Sequence, residues 1–408
     1  MNCRHCKKSL QHTFLDLGFA PPSNAYINKE GLNKPEIYYP LRVRVCDHCW
    51  LVQTEDYTDA DILFTSKYAY FSSTSSSWMK HALNYTEKMI EEFDLNSDSY
   101  VIEVASNDGY LLKNFFAAGI PCLGIEPTKS TADVSEKIGI PVLRKFFSKA
   151  LGKELAAKGK QADLIICNNV FAHVPDINDF TLGLKQILKP GGIITLEFPH
   201  LMQLIKHVQF DTIYHEHYSY LSLYTVSKIF EAAGLRICNV EELSTHGGSL
   251  RVYGCHFNEN FETQKSVSKL IQKEKIEHGL QQLDTYLTFQ PRAEKIKDDL
   301  LSFLIEQKRI GKKVVAYGAA AKGNTLLNYA GIKPDLIPFV CDAASAKQGK
   351  FMPGSHIPIL LPEFLQKALP DYVLILPWNI ADEVIQQNAD LKKKGVKFLI
   401  SVPHLQIL

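Results

Sequence analysis

Between about residues 100 and 200 the chain alternates short apolar runs with helical sequence, and from Lys312 it does so again. Residues 101–105, 122–127, 162–170 and 191–199 read as four strands, with a helix opening at Gly109 after an Asn-Asp-Gly turn. In the second stretch KKVVAYGAA, LIPFVCDAA, DYVLILPW and VKFLISVP read the same way. Parallel strands need long crossovers, usually helical, so each stretch is expected to form a doubly wound α/β sheet. A chain of 408 residues is too long for one ordinary core, and two or three domains are expected. The intervening residues, about 263–310, are charged and of helical period, as expected for helices bridging the two units.

The nine cysteines divide into two groups. Cys122, Cys167, Cys238, Cys255 and Cys341 are scattered, mostly along apolar runs, as reduced buried thiols would be. Cys3, Cys6, Cys46 and Cys49 instead form two Cys-x-x-Cys pairs in a segment too small to hold together by apolar burial alone. Two such knuckles supply four soft ligands for a tetrahedral zinc ion, with no position left for a substrate. The site is therefore expected to be structural and remote from catalysis. His5 and His48 lie inside the knuckles as alternative ligands.

VIEVASNDGYLL reads as strand, loop and helix start, with Glu103 near the strand end and Gly109 at the turn. Ala105 and Ser106 stand where a dinucleotide-binding loop would carry glycine, and the acidic loop suits a cationic ligand better than a pyrophosphate. S-adenosylmethionine is such a ligand. Glu103, Ala105, Asn107, Asp108 and Gly109 are its expected contacts on the first strand and loop, with Glu126 and Pro127 at the end of the second strand and Asn168 at the end of the third. Glu126 is placed to accept the ribose hydroxyls.

Farther on, FDTIYHEHYSYLS puts Tyr214, His215, Glu216 and His217 in a row. If this run is extended, His215 and His217 share a face, but the spacing is not that of a metalloprotease helix. The chemistry it suggests is a histidine general base with a carboxylate neighbour. His173, four residues beyond Asn169, is a candidate for the same cleft.

The net charge of +1, with no basic stripe, gives no case for nucleic acid or an anionic membrane. No run of about 18 apolar residues or signal-peptide stretch is present, so a cytoplasmic protein is expected. Two other readings stay open on the residues alone. VAYGAAAKGN followed by Asp342 has the look of a nicotinamide-binding unit, and the zinc lobe could serve a methyltransferase-like module that grips RNA or protein.

Taken together, the Cys pairs, YFSSTSSSW, EVASNDGYLL, GIEP, NNVFAHVPD, YHEHYSYLS, GGSLRVY and AAAKGN resemble the bacterial nucleotide-sugar C-methyltransferases. Members of that family methylate C-3 of 4-keto deoxysugars. The resemblance implies a zinc domain (1–66), a Rossmann-like methyltransferase domain (67–262), a helical connector (263–310) and a second Rossmann-like domain (311–408) that helps hold the sugar nucleotide. It implies S-adenosylmethionine as donor, leaving as S-adenosylhomocysteine, and a dTDP- or GDP-linked 4-keto-6-deoxyhexose as acceptor. It further implies that Tyr70 (or, failing it, Tyr68), Asn169, His173, Tyr214, Glu216 and His217 line the reaction cleft, with His217 or Tyr214 as base. Lys322 is then the expected phosphate partner, with Ser345, Lys350 and His215 as further substrate contacts.

Overall fold

The computed structural model describes residues 1–55, 71–74 and 76–408. Tyr68 and Tyr70 lie outside the described residues.

Near the N-terminus β1 (His12–Ala20), β2 (Tyr39–Val45) and β3 (Val52–Thr54) form an antiparallel sheet. Along β2 the leucine and valines alternate with tyrosine, proline and arginines, and burial follows that period of two, as in a sheet with one wet face. The fourth strand of this sheet comes from far along the chain. It is β9 (Ser219–Tyr220), which pairs Val52 with Tyr220 and Gln53 with Ser219. The YHEHYSY run therefore completes the zinc lobe's sheet.

The central sheet contains β4 (Val101–Val104), β5 (Cys122–Ile125), β6 (Val142–Leu143), β7 (Ala162–Asn168) and β8 (Leu188–Pro199), all parallel, in the order β6-β5-β4-β7-β8. β4 and β5 are buried at every residue, as strands with helices on both faces must be. A hairpin of β10 (Leu235–Leu243) and β11 (Ser249–His256) extends the sheet antiparallel beyond β8. The expected all-parallel sheet is thus mixed, because a tight connection through Gly247 and Gly248 can join only antiparallel neighbours. Strand order reverses between β4 and β7, which places the ligand crevice at the carboxyl ends of β4, β5 and β7.

The C-terminal sheet holds β12 (Val314–Tyr317), β13 (Val340–Cys341), β14 (Ile359–Leu360), β15 (Tyr372–Ile375) and β16 (Lys397–Ile400) in parallel, with β17 (Gln406–Ile407) antiparallel at one edge. The connector between the two α/β units is more than a bridge. Glu274 is fully buried and accepts hydrogen bonds from His200 Nε2 and from the N–H groups of Leu223 and Tyr224, at the start of the helix Leu223–Ala233. Phe289, which opens the helix Phe289–Arg309, stacks on Phe14 of β1 at 4.6 Å. One apolar core runs from the N-terminal sheet through this helix into the C-terminal sheet. Among the described residues, no helix is long and apolar enough to cross a membrane.

Candidate functional site

The two cysteine knuckles are built alike. The carbonyls of Cys3 and Cys46 accept from the N–H of Lys7 and Trp50, and these two residues both take φ 62°, which turns the chain back toward the cysteine. All four Sγ atoms lie within 4.8 Å of one another, with Cys3–Cys49 and Cys6–Cys46 at 3.5 Å. A ZnS4 tetrahedron with bonds of about 2.3 Å has S···S edges of about 3.8 Å, so the set fits zinc. His5 donates through Nδ1 to Asn178 Oδ1 and His48 is exposed, which leaves the four thiolates as the ligand set.

At the carboxyl edge of the central sheet, Ala105, Asn107 and Gly109 all have positive φ (59°, 51° and 76°). Left-handed residues recur at every second position, the turn that alternating glycines would make, written here with Ala and Asn in two of three places. Gly109 is obligatory, because a Cβ there would come within 2.7 Å of Ser135 Oγ and Ile140 Cδ1. Glu126 accepts the Asn107 N–H at 3.0 Å and the Thr128 N–H at 2.8 Å, which ties the loop to the end of β5 beside Pro127. Asn107 and Asp108 in turn accept the N–H groups of Ser72 and Ser73.

Several buried polar atoms at this edge find no hydrogen-bond partner among the described residues, including Glu103 Oε2, Asp108 Oδ1 and both amide atoms of Asn168. Such orphans are costly unless a ligand satisfies them. Burial first, then the charges of Asp108 and Glu126, hold the Glu103 carboxyl well above its ordinary range. A cationic ligand relieves that penalty. These residues fit S-adenosylmethionine, with an ammonium and a sulfonium for the acids and donors and acceptors for Asn168. Asn169, at φ 54°, follows β7 with its N–H on the Glu197 carbonyl.

Tyr214 to His217 form a turn, closed by the His217 N–H on the Tyr214 carbonyl at 2.9 Å. Its two histidines therefore diverge, contrary to the shared face expected of an extended run. His215 is turned to the zinc lobe, donating through Nε2 to the Pro40 carbonyl and standing edge-on to Tyr39. His217 faces Tyr214 and His173, with the two imidazoles 4.6 Å apart. Its Nδ1 lies 3.0 Å from the Thr212 carbonyl and must carry the proton, so Nε2 accepts the Tyr214 hydroxyl at 2.8 Å. By the same reasoning His173 Nδ1 donates to the Glu216 carbonyl at 2.8 Å. Burial pushes His173 down to about 4 and His217 well below its ordinary value, so both are neutral near pH 7. Burial raises the Glu216 carboxyl to about 7, against the donor Asn24 Nδ2 at 2.7 Å.

Asn24, in the zinc lobe, is one of several residues that the fold brings to this site and the sequence did not disclose. Others come from the seam with the C-terminal unit. Lys322 is half-buried, donates to Asn379 Oδ1 at 2.6 Å and lies over the Trp378 ring, while Trp378 Nε1 donates to the buried Asp211, which burial raises to about 6. The Lys322 ammonium is held below its ordinary value by burial. A cleft of about 570 Å3 opens beside them, lined by Trp78, His81, His246 and Trp378. His81 is anchored on Glu197, which is paired to Arg251. In the loop after β13, Ser345 is exposed and Lys350 half-buried, whereas Lys347 turns inward to the Ala319 carbonyl. No local signal distinguished Lys347 in advance, since its ammonium lies over the ring of Tyr26 in the zinc lobe, which also donates to Ala319.

Three family models match in order: a zinc binding domain over residues 3–64, a methyltransferase domain over 78–240 and a C-methyltransferase C-terminal domain over 244–403. The C-methyltransferase NovU of Streptomyces niveus is 32% identical over 406 residues, covering 100% of this chain and 96% of that protein. A ubiquinone biosynthesis O-methyltransferase of Rickettsia bellii is 28% identical over 113 residues, 27% of this chain and 47% of that one. Among solved structures, the magnesium protoporphyrin IX methyltransferase ChlM of Synechocystis PCC 6803 with bound SAH aligns with a TM-score of 0.34 at 14% identity, covering 43% of this chain and 81% of that chain. With its thiolate cluster, its cofactor edge and a full-length relative in hand, the chain belongs to the S-adenosylmethionine-dependent C-methyltransferases that carry an N-terminal zinc-binding domain.

Proposed function

We propose that the acceptor is a nucleotide-linked 4-keto-6-deoxy sugar, dTDP- or GDP-linked, and that the methyl group goes to C-3. The observation that carries this reading is the pair of half-buried Tyr214 and buried His217, its accepting nitrogen already defined, beside a glutamate that burial brings to about 7. A carbon next to a ketone becomes nucleophilic once its proton is removed and the developing enolate oxygen is stabilised. His217 Nε2 receives the C-3 proton, directly or through the Tyr214 oxygen, and the C–H electron pair moves into the enolate. Protonated Glu216 donates to the C-4 oxygen. Neutral His173 spends its one proton on the Glu216 carbonyl, so it shapes and dries the pocket and donates nothing more. Asn169 follows the carboxyl end of β7, one residue beyond Asn168 of the cofactor edge. S-adenosylmethionine supplies an electrophilic methyl group on a sulfonium, and the enolate electron pair displaces the thioether.

Lys322 carries the charge complement for the diphosphate, with Lys347, beside Asp342 in the loop after β13, as a second cation. The reading is tested with isotope-labelled S-adenosylmethionine and a panel of 4-keto-6-deoxy nucleotide sugars, followed by mass spectrometry. One added methyl on carbon is expected, and an acceptor deuterated at C-3 should lose that deuterium. Failure to methylate any 4-keto sugar would overturn the assignment.

A further inference from the structure

Arg4 stands between two zinc ligands, Cys3 and Cys6, and is buried. Its own N–H is fixed on Gln53 Oε1 at 2.8 Å, and its guanidinium reaches three carbonyls outside the knuckle. Nη2 donates to the Thr54 carbonyl at 3.0 Å and Nε to the Tyr218 carbonyl at 3.3 Å, while Nη1 reaches the Pro175 carbonyl at 3.4 Å. The same group lies 5.0 Å from the centre of the Tyr218 ring. The adjoining His5 holds Asn178, whose amide returns hydrogen bonds to the carbonyls of Arg4 and His5.

Two stretches of chain are gripped in this way. One runs from Ala172 to Asn178 and carries His173; the other is the turn and strand that carry Glu216, His217 and Tyr218. They are joined to each other where the Tyr218 N–H meets the Ala172 carbonyl at 2.8 Å. Thr54 Oγ1 adds a hydrogen bond to the carbonyl of His217 itself. A planar fork with charge-assisted donors suits this work, because it fixes three carbonyls from different segments in one geometry. A base must be placed to a fraction of an ångström for proton transfer to be efficient.

We infer that Arg4 is a positioning residue, through which the zinc knuckle sets the placement of the His217–Tyr214 pair. The inference rests on the base role proposed above for His217. The metal thereby has a second task besides holding its own lobe: an ordered knuckle keeps the Arg4 fork, and the fork keeps the two histidine segments in register.

The test uses the full-length, zinc-loaded protein with Arg4→Ala and Arg4→Lys. Both variants are expected to keep their zinc and to bind S-adenosylmethionine within about threefold of the wild type. Both should lose about 10- to 100-fold in kcat, the scale typical of outer-shell partners, with little change in KM for the donor. Guanidinium ion at millimolar concentration should restore part of the lost kcat in Arg4→Ala. Hydrogen exchange, read without any acceptor sugar, should quicken at residues 172–178 and 214–220 but not at 101–109. Unchanged kcat in both variants, loss of zinc along with activity, or exchange that quickens equally at the cofactor edge would overturn the inference. If Arg4→Ala does not fold, Arg4→Lys carries the same expectations, since it keeps the charge and loses the fork. A wild type inactive on every 4-keto sugar would remove the substrate reading, and the exchange pattern would still decide the role of Arg4.

Discussion

The cofactor edge and the histidine cluster are neighbours, but they are held in different ways. Glu103, Asn107, Glu126 and Asn168 stand at the ends of strands in one sheet and are braced by that sheet's own loops. His217, Glu216 and Tyr214 sit on a turn whose supports come from elsewhere: Thr54 and Asn24 in the zinc lobe, and Thr325 of the C-terminal unit, which donates to the Ile213 carbonyl. One sheet and its own loops fix the donor's place, whereas three parts of the chain must agree on the place of the base. Disturbing the zinc lobe should therefore separate binding of the methyl donor from its use.

The strongest challenge to that separation is removal of zinc, by chelation or by Cys46→Ser. The lobe should unfold and release β9, and turnover should fall by more than about 10⁴-fold, as base and placement are lost together. Calorimetry should still find S-adenosylmethionine binding; if binding vanishes with the metal, the two regions are not separate. His217→Ala comes next. A loss of about 10²- to 10⁴-fold in kcat is expected from removing a general base, with donor affinity changed less than about threefold. Unchanged turnover would take His217 out of the base role.

Glu216→Gln sharpens the comparison through pH. Because burial holds the Glu216 carboxyl up near 7, the protonated donor is present below that pH and is lost as pH rises through it. Wild-type kcat should therefore decline on the alkaline side of about 7. Glutamine still donates but does not titrate, so the variant should keep kcat within about tenfold at pH 6 and lose that decline. A decline that survives in the variant belongs to another group. The smallest effect lies on the cofactor side. An alanine in the left-handed region costs about 1 kcal/mol, partly offset by the freedom glycine adds to the unfolded chain. Ala105→Gly should raise the melting temperature by about 1–3 °C in differential scanning calorimetry and leave His217 chemistry untouched.

The same division explains what could be read in advance. Strand-and-helix alternation is written in consecutive residues, so both α/β units and the orders of Glu103, Glu126 and Asn168 along them were legible. The two Cys-x-x-Cys pairs announced zinc because each knuckle is local, down to the matching turns at Lys7 and Trp50. The glycine-like turn at the cofactor loop was partly hidden, since Ala105 and Asn107 adopt a backbone usually left to glycine. Asn24, Asp211 and Trp378 gave no signal, because each acquires its role from a partner over a hundred residues away. The expectation that zinc stands apart from catalysis came from its closed ligand set. It did not anticipate that Arg4, inside the first knuckle, would reach the turn carrying the histidines.

Because β3 ends at Thr54 and its partner β9 begins at Ser219, the ribosome must add more than 160 residues before the N-terminal sheet can close. At about 5–20 residues per second, the edge of β3 waits on the order of ten to thirty seconds on a nascent chain. An unpaired strand edge is an invitation to wrong partners, and this one is buried in the finished protein at Val52, Gln53 and Thr54. Early capture of zinc would keep the lobe in one shape through that interval, so metal supply during synthesis should govern the yield of active enzyme more than metal supply afterwards.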